Sequence, residues 1–207
     1  MPHSVAPPDG AVPLLDGLAA LAEGYDALIL DLWGVLHDGI RPYPGVLEAL
    51  AAIQAAGKRT CLLSNAPRRV HSVIEQLTGI GIPQDLYGEV LSSGEAAWQA
   101  MRAPPDDFHR GLGRRCFHLG PPRDDSVHTG LGLELVGRPE EASFVLNTGA
   151  HDYDDTLADY RPVLEAAAGR DLPMLCANPD LVVMYGEQEA ICAGLLAQEY
   201  ERLGGRV

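Results

Sequence analysis

Short apolar runs that end in polar residues alternate with helical segments in the first half of the chain. The runs are Ala27–Leu30, Thr60–Leu63 and Glu89–Ser92. A run of this length that does not alternate with polar residues is typical of a strand buried on both faces, as in a parallel sheet. Between the runs, apolar residues recur at helical spacing. The order strand–helix–strand–helix–strand predicts an α/β fold with a parallel sheet, right-handed crossovers and these three strands side by side in chain order.

Polar side chains follow the first two runs directly. Asp31 ends the first run, and Ser64 and Asn65 end the second. Ligands bind at the carboxyl ends of the strands in sheets of this kind. The sequence therefore predicts a ligand site that includes these three residues.

The rest of the chain predicts a second, smaller α/β unit. Strands are expected at Cys116–Leu119, Leu133–Val136, Ser143–Asn147 and Met174–Cys176, with a helix near Thr156–Ala168. A last helix is expected from Glu189 to Leu203. We therefore expect three parts: a first unit over residues 1–94, an inserted unit over 95–182, and a return to the first unit over 183–207.

Composition disfavours some classes of partner. The formal net charge is −14, which disfavours binding to nucleic acid and to anionic membrane surfaces. No apolar run reaches the roughly 20 residues that span a bilayer, and no secretory leader is evident. The four cysteines have no zinc-type or redox-type spacing. These features favour a cytoplasmic protein. Lys58 is the only lysine.

Four segments resemble the haloacid-dehalogenase-like hydrolases. Leu28–Gly39 resembles the first motif, a hydrophobic strand followed by Asp-x-Asp-Gly, and Leu62–Ala66 resembles the second. Ser92–Ala97 and Cys176–Asp180 resemble stretches of the class IIA branch, which includes pyridoxal-phosphatase-like and p-nitrophenyl-phosphatase-like enzymes. The resemblance implies a Rossmann-like core with an α/β cap inserted between the second and third motifs.

The resemblance also implies roles for individual residues. Asp31 would attack phosphorus and form an aspartyl-phosphate, and a Mg²⁺ ion would be held by Asp31 and the backbone carbonyl of Trp33. Gly34, Ser64 and Asn65 would bind the phosphate. Asn178 and Asp180, on the last loop of the cap, would face the substrate. From the residues alone, Asp31 and Ser64 also suit turn and helix capping, and Asn178-Pro179-Asp180 suits a plain turn.

The chain departs from the family pattern at Trp33. The family's phosphatases carry an Asp there, which protonates the leaving oxygen and then activates water. An indole can do neither, because its N–H only donates. His37 or Asp38 are the candidate substitutes, and the alternative is that both are ordinary loop residues.

The third and fourth motifs, which supply a lysine or arginine and acidic metal ligands, have no counterpart before Val207. Lys58 is expected at the opposite end of the sheet, and Asp124-Asp125 and Asp154-Asp155 are expected to be solvated turn residues. Magnesium binding should therefore be weak. The strand Ala27–Leu30 should be a sheet edge that a second copy or a partner chain covers.

Three functions are consistent with these patterns. The first is a hydrolase that acts on a small phosphorylated metabolite through Asp31. The second is a catalytically silent relative that serves as a binding or interaction module. The third is an unrelated flavodoxin-like domain that binds a nucleotide or flavin at the same strand ends.

Overall fold

The first sheet has the predicted parallel order. The structure is a computed structural model that describes residues 17–207, so residues 1–16 of the expected first unit lie outside the described residues. The elements of this part are α1 (Ala19–Ala22), β1 (Ala27–Asp31), α2 (Val46–Ala55), β2 (Arg59–Ser64), α3 (Val70–Gly79) and β3 (Glu89–Ser92). The strand order is β1-β2-β3, with both pairs parallel. The α/β prediction and the strand order are confirmed.

Only one face of this sheet is covered by helices among the described residues. Leu62 packs there with Leu50 of α2 and Val73 of α3. On the opposite face, Ile29 is 72% exposed and Leu91 is 50% exposed. The expectation of strands buried on both faces is therefore wrong for this sheet, because α2 and α3 contribute to the same apolar cluster.

The second sheet has four parallel strands in the order β5-β4-β6-β7. The elements of this second part are α4 (Ser93–Arg102), α5 (Asp107–Arg110), β4 (Arg115–Leu119), β5 (Glu134–Leu135), β6 (Phe144–Asn147), α6 (Leu157–Ala168) and β7 (Met174–Cys176), with 3-10 turns at Pro122–Val127 and Pro139–Glu141. A further 3-10 turn, Gln84–Leu86, precedes β3 in the first part. All four residues of β6 are buried, as expected for a central strand. Thr156 and Asp159 form a capping box, which fixes the start of α6.

The last part of the chain differs from the sequence expectation in two ways. Residues 182–191 form an antiparallel hairpin, β8 (Val182–Tyr185) and β9 (Gln188–Ile191), so the expected helix from Glu189 is wrong at its start. Gly186 makes the turn with a φ of 61°, which favours glycine. The helix α7 begins at Ala193 and ends at Arg202.

Helix α7 packs on the second sheet and on α6. Leu196 and Tyr200 belong to one apolar cluster with Leu164 and Met174, and the Tyr200 hydroxyl donates to the carbonyl of Leu172 at 2.7 Å. We expected residues 183–207 to rejoin the first unit, but α7 packs on the second unit instead. Its apolar stripe is complementary to the second sheet, and burial there removes that stripe from water. Among residues 17–207, no helix has both the length and the apolar character needed to cross a membrane.

Candidate functional site

A cavity of about 390 Å³ lies where the carboxyl edge of the first sheet meets the second sheet and the hairpin. It collects residues from widely separated parts of the chain. Those used below are Asp31, Trp33, Gly34, Ser64, Asn65, Arg68, Arg123, Asp124, Asp152, Tyr153, Asn178, Asp180 and Met184. The structure thus brings together seven of the nine residues that the sequence analysis singled out as site candidates.

Asp31 is the last residue of β1, and its side chain is exposed on the cavity. It lies opposite Leu63 in the parallel register, so the neighbouring strand places Ser64 at the same edge. The Leu32 N–H donates to Asp31 Oδ1 at 2.7 Å. The prediction that Asp31 and Ser64 are neighbours at the carboxyl edge is confirmed.

The turn after Asp31 depends on Gly34. Its φ is 81°, in the left-handed region that glycine adopts without strain. Its N–H donates to the carbonyl of His37 at 2.9 Å, and the N–H of Leu36 donates to the carbonyl of Leu32 at 2.8 Å. These bonds hold the turn close to the carboxylate of Asp31.

Trp33 joins this turn to the hairpin. Its indole N–H donates to the carbonyl of Met184, on β8, at 2.7 Å. The ring also makes an edge-on contact with His37 and a tilted contact with Tyr185. A side chain at Gly39 would collide with the indole, since a Cβ there would lie 2.5 Å from a ring carbon. Trp33 therefore closes one wall of the cavity, and its side chain has no acidic group that could donate a proton to a leaving oxygen.

His37 and Asp38 do not line the cavity in the part of the chain that the structure describes. His37 is only 2% exposed, and its Nδ1 accepts the Gly39 N–H at 3.0 Å. Burial lowers the pKa of His37. Asp38 Oδ1 accepts the N–H groups of Arg41 and Ile40, and these bonds lower the pKa of Asp38. Both residues act in the turn itself, which is the alternative role considered for them.

Asn65 and Asp180 meet across the cavity. The Asn65 amide donates to Asp180 Oδ1 at 2.9 Å, and the Asp180 N–H donates to Asn178 Oδ1 at 2.9 Å. On the other side, Ser64 Oγ accepts the Ala66 N–H at 3.1 Å. The loop that follows β2 is thereby joined to the loop that follows β7.

Sequence reasoning missed a pair of charged residues in the cavity wall. Arg68 Nη2 lies 3.1 Å from Asp124 Oδ1, and both side chains are largely buried. Asp124 is 2% exposed, so the expectation of a solvated turn residue is wrong for it. Burial raises the pKa of Asp124 to about 6, against the opposing effect of Arg68. The pairing spans the two sheets, and no local pattern reveals it.

Two arginines supply the positive charge of the cavity. Arg68 lies in the loop after β2, and Arg123 stacks over Tyr153 with 4.7 Å between its guanidinium carbon and the ring centre. Lys58 bonds to the carbonyl of Tyr25, at the opposite end of β2 from the cavity. The position of Arg68 just after a strand end, in a chain with one lysine, was the signal that could have identified it.

Few groups in the cavity suit a hard cation. Mg²⁺ prefers oxygen ligands and is usually held by one or two carboxylates together with substrate phosphates and water. Asp31 offers an exposed carboxylate and Trp33 a backbone carbonyl beside it. Of the other carboxylates in the lining, Asp180 is bonded to Asn65, Asp124 is paired with Arg68, and Asp152 is an exposed residue of the second unit. The residues fit a magnesium ion that receives two ligands from the protein and the rest from substrate phosphate and water.

Comparison with known proteins gives a consistent family. The model of the haloacid dehalogenase-like hydrolases matches residues 28–134. A haloacid dehalogenase-like hydrolase from Brucella suis 1330 is 37% identical, with 94% of this chain and 71% of that chain covered and a TM-score of 0.81. A search of curated proteins gives no match.

More distant structures share the fold. The 4-nitrophenylphosphatase of Thermotoga maritima is 23% identical over 90% of this chain and 67% of its own, with a TM-score of 0.64. A glycerol phosphate phosphatase from Mycobacterium tuberculosis, solved with magnesium, is 18% identical over 90% of this chain and 55% of its own, with a TM-score of 0.63. With the family match over half of the sequence and the Brucella relative, the chain belongs to the haloacid dehalogenase-like hydrolases.

Proposed function

We propose that the protein is a phosphatase-like hydrolase that transfers the phosphoryl group of a small phosphorylated metabolite to Asp31. The observation that carries this proposal is the exposed carboxylate of Asp31 in a cavity that also holds Arg68 and Arg123. A carboxylate is a competent nucleophile toward phosphorus when cations offset the charge of the phosphate. The cavity volume of about 390 Å³ suits a small metabolite.

The phosphate would be held by groups on two loops. The Ser64 hydroxyl and the Asn65 amide are donors at the end of β2. Arg123 adds a guanidinium from the 3-10 turn after β4, and Arg68 adds a charge that is partly offset by Asp124. Because Asp124 offsets part of the charge of Arg68, the site has less net positive charge than two unpaired arginines would give.

Asp31 and the carbonyl of Trp33 would hold a Mg²⁺ ion. When bound, the ion offsets the repulsion between the Asp31 carboxylate and the phosphate. With Asp31 as the one carboxylate assigned to the ion, we expect weak affinity for Mg²⁺ alone and tighter binding when inorganic phosphate is present. Isothermal titration of Mg²⁺ with and without phosphate measures both. Tight binding of Mg²⁺ alone would contradict this assignment.

The second unit would act as a cap. Residues of 95–182 face the first sheet across the cavity through Asn178 and Asp180. A cap excludes water and contacts the part of the substrate that leaves. In this proposal the protein works in the cytoplasm, where small phosphorylated metabolites occur.

Trp33 should affect the two steps of the reaction, phosphoryl transfer to Asp31 and hydrolysis of the aspartyl-phosphate, to different extents. An alkyl phosphate needs a proton on its leaving oxygen, which an indole does not give. 4-Nitrophenolate leaves without a proton, so the first transfer to Asp31 needs only the nucleophile and the positive charges. Hydrolysis of the aspartyl-phosphate then needs a base near Asp31, and Trp33 supplies none.

Burst kinetics with 4-nitrophenyl phosphate and Mg²⁺ test the proposal. We expect about one equivalent of nitrophenolate per protein in a fast phase, followed by slow turnover. Mass spectrometry of the quenched protein should locate the phosphoryl group on Asp31. Asp31→Asn should lose the burst, and His37→Gln should keep it if the variant folds, because His37 is buried outside the cavity.

The other outcomes identify the alternatives. Binding of inorganic phosphate without a burst favours the catalytically silent binding module. Steady turnover without a burst, with Asp31 required, means that another group near the cavity activates water. A burst that survives Asp31→Asn would refute the assignment of the nucleophile. A yellow flavin spectrum in the purified protein would favour the flavodoxin-like alternative.

A further inference from the structure

Two histidines and an aspartate converge in the second unit, outside the residues assigned above. His118 lies on β4, and Asp125 and His128 lie in and just after the 3-10 turn at Pro122–Val127. Their ligand atoms are within 4.8 Å of one another. His118 Nδ1 is 3.4 Å from Asp125 Oδ1, and His128 Nε2 is 3.3 Å from the same oxygen.

These distances match the spacing of ligands around a tetrahedral metal ion. Ligand atoms bound to zinc at roughly 2.0–2.2 Å in a tetrahedron lie about 3.3–3.6 Å apart. Two imidazoles and one carboxylate are the ligand types that zinc and similar transition dications prefer over Mg²⁺. Small rotations of the two histidine rings would bring their nitrogens to the same spacing.

The second nitrogen of His118 has a partner of its own. His118 Nε2 lies 2.9 Å from Thr148 Oγ1, at the end of β6. Metal-bound histidines commonly donate their other N–H in this way, which fixes the ring and leaves the first nitrogen free to bind the ion. A Cβ at Gly120 would lie 1.8 Å from the same hydroxyl, so this glycine leaves room for the contact.

We propose that His118, Asp125 and His128 form a binding site for a zinc-class transition-metal ion, with water in the fourth position. The side chain of Asp125 is 52% exposed, which gives the ion and its water access to solvent. Both histidine side chains are mostly buried, at 11% and 9% exposure, so they are held in place before the ion binds.

The site would stabilise the turn that carries cavity residues. Arg123 and Asp124 lie between its ligands in sequence and line the cavity. The same turn is held to the first part of the chain by the Arg69 N–H, which donates to Ser126 Oγ at 3.0 Å. A bound ion would add a link from this turn to β4.

Metal titration of the purified, chelator-treated protein tests the site. Mg²⁺ in millimolar excess is present throughout, so that the oxygen ligands near Asp31 do not account for the signal. We expect one equivalent of Zn²⁺ to bind. Co²⁺ should give the intense visible absorption of a four- or five-coordinate site with nitrogen ligands.

Two mild variants and one matched control decide the assignment. Asp125→Asn and His128→Gln should each lower Zn²⁺ affinity at least about tenfold. His109→Gln should leave it unchanged, because His109 also contacts an aspartate, Asp106, at 2.7 Å but forms no such three-residue group among residues 17–207.

The opposite results overturn the proposal. They are a loss smaller than tenfold in both variants, an equal loss in His109→Gln, or no visible absorption with Co²⁺. Circular dichroism of each variant separates loss of a ligand from loss of the fold. The wild-type Co²⁺ spectrum keeps the test decisive even if a variant does not fold.

Discussion

The first turn of α4 packs against the loop that carries Ser64, Asn65 and Arg68, and Gly94 makes this contact. The Gly94 N–H donates to the carbonyl of Ala66 at 3.1 Å. A Cβ at this position would lie 2.2 Å from the backbone nitrogen of Arg68 and 2.5 Å from the carbonyl carbon of Pro67. These atoms belong to the backbone, so they cannot rotate away as a side chain would.

Gly94→Ala should therefore destabilise the protein. Normal contact distances require helix and loop to separate by about 1 Å, and overpacking of this kind costs about 1–3 kcal/mol. The higher helix propensity of alanine offsets up to about 1 kcal/mol of that. We expect a net loss of about 1–2 kcal/mol in the free energy of unfolding, measured by urea denaturation with an unchanged m-value.

Gly79→Ala is the matched control. Gly79 ends α3, and a Cβ there meets nothing within 4 Å. This variant should be as stable as the wild type or up to about 1 kcal/mol more stable. Phosphate affinity should fall in Gly94→Ala and stay constant in the control, since only the former moves Asn65 and Arg68. Equal stability of the two variants would refute the reasoning.

Three further changes have defined outcomes. Trp33→Phe removes the hydrogen bond to Met184, so hydrogen exchange should become faster in the hairpin 182–191, and unchanged exchange there would show that this bond does not hold the hairpin. Because Asp124 has a raised pKa, of about 6, the folded state holds its proton more tightly than the unfolded state does. The difference in unfolding free energy between the wild type and Asp124→Asn should thus fall by up to about 3 kcal/mol as the pH rises from about 4 to about 7. A difference that rises with pH would contradict the raised pKa of Asp124. Ile29 is 72% exposed and lies opposite Cys61, two residues before the exposed Leu63 on the same face, so the protein should self-associate through this face. Ile29→Thr should weaken that association in sedimentation, and an unchanged sedimentation profile would exclude the face.

The sequence was sufficient for the parallel order of β1 to β3, because continuous apolar runs separated by helices have few other arrangements. The same runs did not show which face is covered. A run without alternation carries the same apolar character on both faces, and the exposed side of Ile29 became evident only from where α2 and α3 pack. The exposure of a face depends on which helices pack on it, and the sequence of the strand does not record that.

The sequence predicted those site residues that directly follow a strand. It did not predict those that pair with a residue far away in the sequence. Asp31, Ser64 and Asn65 follow apolar runs, so their position at one edge could be inferred. Arg68 and Asp124 are 56 positions apart and each looks like an ordinary loop residue, yet together they form a buried ion pair. The hairpin was missed because Gln188 and Glu189 continue the polar part of a helical pattern.

The contact between Trp33 and Met184 also affects how molecules enter and leave the cavity. It joins the turn after β1 to the hairpin, and the Gly186 N–H adds a second bond to the carbonyl of Asp38 at 3.1 Å. A molecule that passes between the turn and the hairpin would need both bonds to break. Product release would then follow the opening rate of the hairpin, and the size of the leaving group would set the residence time.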